Sequence, residues 1–179
     1  ADQSSQDSAK ELILNTKNAN DSLGATVLTI IKGAPAGLGE VLYNKLDAAL
    51  ASAMMGINGV KGVEIGDGIN VATMLGSQNN DFMDKNGFKS NHCGGILGGI
   101  SNGNDIVIKS YFKPTPSIFK AQPTINLDGN EVICELRGRH DPCIGVRGSV
   151  VATAMARLVI ADMLLLNASA NLNNLKRIY

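Results

Sequence analysis

The sequence has no excess of charge of either sign. Sixteen Lys and Arg balance sixteen Asp and Glu over 179 residues. Proteins that bind nucleic acid normally concentrate a basic excess on one face, so the composition argues against a nucleic-acid partner. Hydrophobic residues make up 44% of the chain and charged residues 18%, which is typical of a globular protein that buries a core of its own.

Cysteine is scarce and a secretory signal is missing. The three cysteines, Cys93, Cys134 and Cys143, are an odd number without disulfide-like spacing. The first ten residues, ADQSSQDSAK, are polar and contain no apolar segment. A reduced, cytoplasmic protein is the simpler interpretation.

Several common site motifs are also absent. No Gly-Lys-Ser/Thr follows a glycine-rich loop, the dinucleotide fingerprint does not fit, and there is no Gly-x-Ser-x-Gly. His92-Cys93 and His140 with Cys143 offer two His and two Cys, but without the spacing of a structural zinc site. We therefore expect no metal, and a zinc site or zinc hydrolase stays a minor alternative.

Apolar periodicity and breakers predict the secondary structure. The most apolar stretch, residues 150–166, is interrupted by Arg157 and Asp162, so we expect a buried helix and no membrane partner. Residues 87–103 read as a long glycine-rich loop, and Asp128-Gly129 marks a hairpin turn. The predicted strands cover 25–31, 60–65, 106–112, 124–127 and 131–136, and the predicted helices cover 8–15, 42–55 and 150–167.

These elements favour an α+β fold with antiparallel sheet packed on internal helices. The strands cluster, and the helices do not alternate with them regularly. With no linker or repeat in the sequence, we expect a single domain over residues 1–179, in which the polar residues 1–20 are poorly ordered.

Two short segments carry most of the reactive side chains. Lys113-Pro114-Thr115-Pro116-Ser117 ends a strand, and its lysine and hydroxyls could hold a phosphate; a proline-rich exit from an edge strand explains it equally well. Residues 137–143 combine Arg139, His140 and Asp141. Arg suits phosphate, and His and Asp can move protons, but taken alone a charged turn is the better interpretation.

Four segments follow one another in the chain: GAPAGLGE at 33–40, INGVKGVEIGDG at 57–68, SNHCGGILGGISNG at 90–103 and GRHDPC at 138–143. In that order, with Lys-Pro-Thr-Pro-Ser-Ile between the last two, they resemble the chorismate synthase family. The run Gly-Arg-His-Asp-Pro-Cys is highly specific to that family. The resemblance covers nearly the whole chain and corresponds to the second half of the family's sequence.

The resemblance implies a phosphate-eliminating lyase that uses reduced FMN. The family converts 5-enolpyruvylshikimate 3-phosphate to chorismate and phosphate by a 1,4-elimination in the shikimate pathway of aromatic amino acid biosynthesis. It is associated with NADPH and a cytoplasmic location. It also implies homotetramers built on a β-α-β sandwich, of which this chain would be half.

By the same resemblance, Arg139 and Asp141 would be catalytic, with Arg139 beside flavin and substrate and Asp141 relaying a proton from the flavin. Asn58, Gly59 and Gly98 would contact the flavin. The segment that binds it would comprise Lys113, Pro114, Thr115, Pro116 and Ser117.

The sequence departs from the family pattern at a few positions. Gly59 stands where Ala is usual and Gly56 where Ser is usual; Val41 replaces Pro, and Gly148-Ser149-Val150 replaces an Ala-Val-Pro run. The family's two catalytic histidines and substrate-gripping arginines belong to its first half, and His92 and His140 are not those histidines. We therefore expect a fragment that folds but is inactive alone; the alternative is a non-catalytic ligand-binding or assembly module.

Overall fold

The element order is that of an α+β protein. The computed structural model describes residues 3–170 and 172–178. Its helices are α1 (Gln3–Asn18), α2 (Leu46–Met55), α3 (Gly76–Asn79), α4 (Gly145–Ser169) and α5 (Leu172–Ile178), with a 3-10 turn at Gly68–Thr73. Its strands are β1 (Ala25–Ile31), β2 (Val60–Ile65), β3 (Met83–Asp84), β4 (Gly87–Phe88), β5 (Ile96–Leu97), β6 (Ile100–Ser101), β7 (Ile106–Phe112), β8 (Gln122–Ile125) and β9 (Glu131–Cys134).

Strand β7 is the centre of the main sheet. It pairs with β1 on one side and β2 on the other, both antiparallel, so that Ile108 faces Thr29 and Ile65. Its side chains alternate between a buried and a half-buried face, as the twofold period of a strand requires. The buried face, which includes Ile106 and Phe112, gives the sheet its core side, and the predicted antiparallel α+β class is confirmed.

Helix α2 fills much of that core side. Leu46, Leu50 and Met54 recur every four residues and are fully buried. This spacing places all three on one helix face. Helix α4 packs beside α2 and against β1, and it presents Ala152 and Ala156 to the core.

Most of α4 is not covered. Only 17% of its most apolar 18 residues, whose mean hydropathy is 1.9, are buried among the described residues. Val150, Leu158 and Leu165 are 71%, 64% and 72% exposed. The prediction that this helix lies inside the protein is therefore wrong for this chain, because the sheet and α2 reach only its small-residue side. By length and composition α4 could also cross a membrane, but one such helix is weak support for that location.

The other differences from the predicted elements are local. Helix α2 begins at Leu46 rather than at 42, since a turn with Tyr43 at φ 62° precedes it. Helix α1 is longer than the predicted segment 8–15. The glycine-rich loop at 87–103 contains β4, which pairs with β3 just before the loop, and the β5–β6 hairpin. The β8–β9 hairpin begins two residues earlier than predicted.

The glycine-rich loop is tied to the sheet at one close junction. Gly66 has φ 60°, and a Cβ there would lie 2.2 Å from the carbonyl oxygen of His92. The amide of Asp67 donates to the same oxygen, and Asp67 Oδ2 lies 2.7 Å from His92 Nδ1. Only glycine allows the two backbones to approach this closely.

Candidate functional site

An apolar cleft opens where α2, the end of β7 and the start of α4 meet. It encloses about 740 Å³ and is walled by Phe112, Ile144 and Met155. Its polar side chains include Asn58, and Lys113 and Arg147 add positive charge to its lining. We call it the Lys113 cleft. Its size and its mostly apolar wall with few polar groups are those of small-molecule sites.

The Asn58-Gly59 turn forms one side of the Lys113 cleft. It joins α2 to β2, and the amide of Lys113 donates to the carbonyl of Gly59 at 2.8 Å. Gly59 has φ 90°, and a Cβ there would come within 2.6 Å of Ile144 Cδ1. The positive φ favours glycine at this position, and the hydrogen bond from Lys113 fastens the turn to the end of β7.

The segment after Lys113 is fastened from two sides. Ser22 Oγ donates to the carbonyl of Thr115 at 2.6 Å, and Thr115 Oγ1 donates to the carbonyl of Asp141 at 3.0 Å. The second bond joins the two segments that the sequence singled out, 113–117 and 137–143. Pro114, Pro116 and Ser117 do not line the Lys113 cleft, and their predicted flavin contacts stay predictions.

Arg139 and Asp141 line a different cavity. It encloses about 590 Å³ between α1 and residues 138–142. Its walls carry Lys10, Lys17, Arg139, His140 and Asp141, and its apolar part is Ile13, Leu14, Phe119 and Pro142. We call it the Arg139 pocket. The structure therefore places Asn58, Gly59 and Lys113 at one cavity and Arg139 and Asp141 at another.

Arg147 connects the two cavities and was not predicted. Its Nη1 lies 3.2 Å from Asp141 Oδ2, so a residue of the Lys113 cleft is paired with a residue of the Arg139 pocket. The pair is partly open to solvent, with Arg147 70% exposed. The only signal in the sequence is a further arginine in the first turn of α4, six residues after Asp141.

Gly98 lies outside both cavities, and the residues considered for a zinc site do not come together in the part of the chain that the structure describes. Gly98 lies in the tight turn between β5 and β6 and lines neither cavity. His92 is paired with Asp67, while the ring of His140 lies 5.6 Å from that of Phe119. Within residues 3–170 and 172–178 no three metal-binding side chains gather, so the geometry gives a zinc site no support.

The fold is that of an α+β protein, with an apolar cleft beside a basic pocket. The chain is similar to chorismate synthases: the family model described as chorismate synthase matches residues 1–165. Chorismate synthase of Campylobacter fetus subsp. fetus is 76% identical over 97% of this chain and 49% of its own length. That of Campylobacter jejuni serotype O:2 is 64% identical over 95% and 47%.

A solved crystal structure of chorismate synthase superposes with a TM-score of 0.71 at 32% identity, covering 89% of this chain and 42% of the other. The chain belongs to the chorismate synthase family. It spans about half the length of the curated relatives that it matches.

Proposed function

We propose that this chain supplies the flavin-binding part of a chorismate synthase. Together with the half of the relatives that it does not span, it would convert 5-enolpyruvylshikimate 3-phosphate to chorismate and phosphate. The observation that carries the proposal is the Lys113 cleft, since the neighbours Asn58 and Gly59 line it together with Lys113, which is distant from them in the sequence.

The Lys113 cleft suits FMN in size and charge. A volume of about 740 Å³ admits a fused three-ring system, and Phe112, Ile144 and Met155 offer apolar contact to it. Lys113 and Arg147 supply positive charge for a phosphate, and the Asn58 amide can donate to and accept from a ring edge. Reduced FMN, when bound, would supply electron density as the substrate's phosphate leaves.

The chain's own residues would handle the phosphate and the proton. Arg139, which lines the Arg139 pocket, can stabilise the charge that develops on departing phosphate. The Asp141 carboxylate can accept and relay the proton from the flavin, since it lies at the boundary of the two cavities. Thr115 and Arg147 hold Asp141 by its carbonyl and by its carboxylate, which keeps that position fixed.

The exposed apolar side of α4 supports an assembly larger than this chain. A surface that includes Val146, Val150 and Leu165 is costly to leave in water. We propose that the other half of the enzyme covers it, and that the complete protein is a cytoplasmic homo-oligomer, a tetramer as in the family.

FMN titration tests the proposal, with binding followed by flavin fluorescence. We expect Lys113→Ala to weaken FMN binding by about tenfold, the usual effect of losing a charge-assisted hydrogen bond. Riboflavin, which has no phosphate, should bind the parent and the variant alike. Lys61, which is exposed on β2 and does not line the cleft, provides the matched control Lys61→Ala.

The titration is done with the chain alone and again with the amino-terminal half of the Campylobacter fetus relative. Absence of FMN binding in both preparations, or equal affinity of parent and Lys113→Ala, would overturn the proposal and leave a non-catalytic module as the better reading.

A further inference from the structure

We infer that the β8–β9 hairpin joins this chain to a second copy of itself, and that the two copies pair along β9 in an antiparallel register centred on Cys134. The four strands then form one sheet across a twofold axis. In the complete enzyme this pairing is one contact of the proposed homo-oligomer, and in that respect it rests on the proposed function.

The hairpin has an apolar face and no neighbouring strand. Strands β8 and β9 pair only with each other in the part of the chain that the structure describes. Ile125 and Ile133 lie on one face and are 66% and 64% exposed, and Leu127 at the tip is fully exposed. A two-stranded hairpin is only marginally stable by itself in water. Its apolar face and open edges therefore favour a partner that extends the sheet.

The hydrogen bonds of the turn show which backbone groups point outward. The amide of Asn126 donates to the carbonyl of Asn130 at 2.9 Å. Hydrogen-bonded pairs alternate with non-hydrogen-bonded pairs along an antiparallel ladder, so every second residue of each strand turns its amide and carbonyl away from the hairpin. These outward-facing residues are Pro123 and Ile125 on β8, and Glu131 and Ile133 on β9.

Proline closes the edge of β8, whereas the edge of β9 is complete. Pro123 has no N–H, which leaves β8 a single outward donor. On the other strand both outward residues can donate, and the exposed Glu135 and Arg137 continue the alternation beyond β9, with the half-buried Leu136 between them. An added strand can therefore form a longer ladder with β9 than with β8.

The charges along this edge favour a second copy of the same edge. In a register centred on Cys134, Glu131 lies opposite Arg137 of the second copy, and symmetry makes this pair occur twice. A register centred on Ile133 sets Glu131 opposite Glu135 at both ends, which is destabilising. Over residues 3–170 and 172–178 neither Glu131 nor Arg137 makes an ion pair within 4.0 Å, so both charges are available.

The register makes Cys134 its own neighbour across the twofold axis, which gives a direct test. The two Cα atoms of a non-hydrogen-bonded pair lie about 4.5 Å apart, a distance that a disulfide can span. Diamide, which takes up two electrons and two protons from two thiols, should therefore convert the whole chain to a covalent dimer. Peptide mass analysis should find Cys134 joined to Cys134, and Cys134→Ser should abolish this dimer.

Two proline variants test which edge pairs. Ile133→Pro and Ile125→Pro each remove one outward N–H, at similarly exposed positions, and keep the hydrogen bonds inside the hairpin. We expect Ile133→Pro to weaken dimerisation by about tenfold, because symmetry doubles the lost bond, and Ile125→Pro to match the parent. Sedimentation velocity under reducing conditions measures this. Equal effects of the two variants, or no Cys134 dimer in the parent, would overturn the inference.

A charge exchange tests the register even if a proline disturbs the hairpin. Glu131→Lys should weaken dimerisation by about tenfold, since it sets like charges opposite each other twice, and adding Arg137→Glu should restore it. A double variant as weak as Glu131→Lys alone would exclude this register. FMN affinity is measured on the same samples. Residues 131–137 line neither cavity, so loss of the dimer with FMN binding intact concerns the hairpin, and loss of FMN binding in the parent concerns the proposed function.

Discussion

Asp81 organises the start of the glycine-rich segment at 90–103. Its Oδ1 accepts hydrogen bonds from Ser90 Oγ at 2.6 Å and from the amide of His92 at 2.7 Å, and its Oδ2 accepts from the amide of Cys93 at 3.0 Å. Burial would raise the pKa of the Asp81 carboxyl, but the hydrogen bonds from Ser90, Cys93 and His92 together lower it to about 2. The ionised side chain of Asp81 is therefore the form that accepts these three hydrogen bonds.

This pKa predicts acid sensitivity. The ordinary pKa of the Asp81 carboxyl is 3.8, and it falls to about 2 in the fold. The carboxylate therefore stabilises the fold fully above pH 4, and this contribution of at most about 2 kcal/mol is lost as the pH falls from 4 to 2. Asp81→Asn should lower the free energy of unfolding at pH 6 and flatten its fall between pH 4 and 2.

Urea unfolding at several pH values measures both effects. An amide cannot replace the carboxylate, because in either orientation its NH₂ faces a backbone or hydroxyl donor. Asp105→Asn, at an exposed position, is the control and should follow the parent. A pH profile for Asp81→Asn that is parallel to that of the parent would show that the network does not depend on the charge.

For single residues, the sequence predicted which residues are candidates for a site better than it predicted which of them lie together. Asn58, Gly59 and Lys113 share a cleft as the resemblance implies, but no pattern revealed that Arg139 and Asp141 line another. Arg147 was missed because its role depends on a 3.2 Å contact across a turn, and spacing alone does not specify side-chain direction.

Among the elements, the strands followed directly from local patterns. Residues 25–31, 60–65 and 106–112 are strands with the predicted bounds, because β-branched runs between glycine and proline breakers leave little choice. The start of α2 could not be predicted, since it depends on the turn at Tyr43. The environment of α4 could not be predicted either, because composition does not tell which chain covers an apolar helix.

Helix α4 leads to a prediction about association. Leu158 and Leu165 are 64% and 72% exposed, while Met163 on the opposite side is 3% exposed. We expect the double variant Leu158→Gln, Leu165→Gln to keep the parent's unfolding free energy and to reduce self-association in sedimentation velocity, because it removes apolar surface that only another chain covers.

Met163→Gln is the contrasting variant. It buries a polar amide in place of a core side chain and should lower the free energy of unfolding by about 2–4 kcal/mol. If the Leu158, Leu165 double variant were destabilised to the same extent, those leucines would be part of this chain's own core, and the uncovered face of α4 would have no partner to explain.

For the molecule as a whole, the two cavities and the bare face of α4 fit the proposal that this chain works as one part of an enzyme. The chain spans 49% of the length of its Campylobacter fetus relative. Cations line both of its cavities, and the Asp141–Arg147 pair lies between them. A reaction that releases phosphate from an organic ring needs water excluded around the developing charge, and in the proposed function the other half of the enzyme supplies this cover.

Reconstitution from halves is therefore the decisive prediction at this scale. With reduced FMN and 5-enolpyruvylshikimate 3-phosphate, the chain alone should form no chorismate, whereas the chain co-expressed with the amino-terminal half of its 76% identical relative should form it at a measurable rate. The reason is that, in the proposed function, the other half of the enzyme covers the exposed face of α4 and completes the site. Chorismate is followed by its ultraviolet absorbance.

Two variants show what that activity depends on. Asp141→Asn should abolish turnover without preventing assembly, since the amide keeps the size of the side chain but cannot accept the proton. Asp105→Asn should leave both unchanged, because Asp105 lines neither cavity. Chorismate formed by the chain alone would show that the open cavities suffice for catalysis, and full activity of the assembled Asp141→Asn variant would move the proton acceptor to the other half.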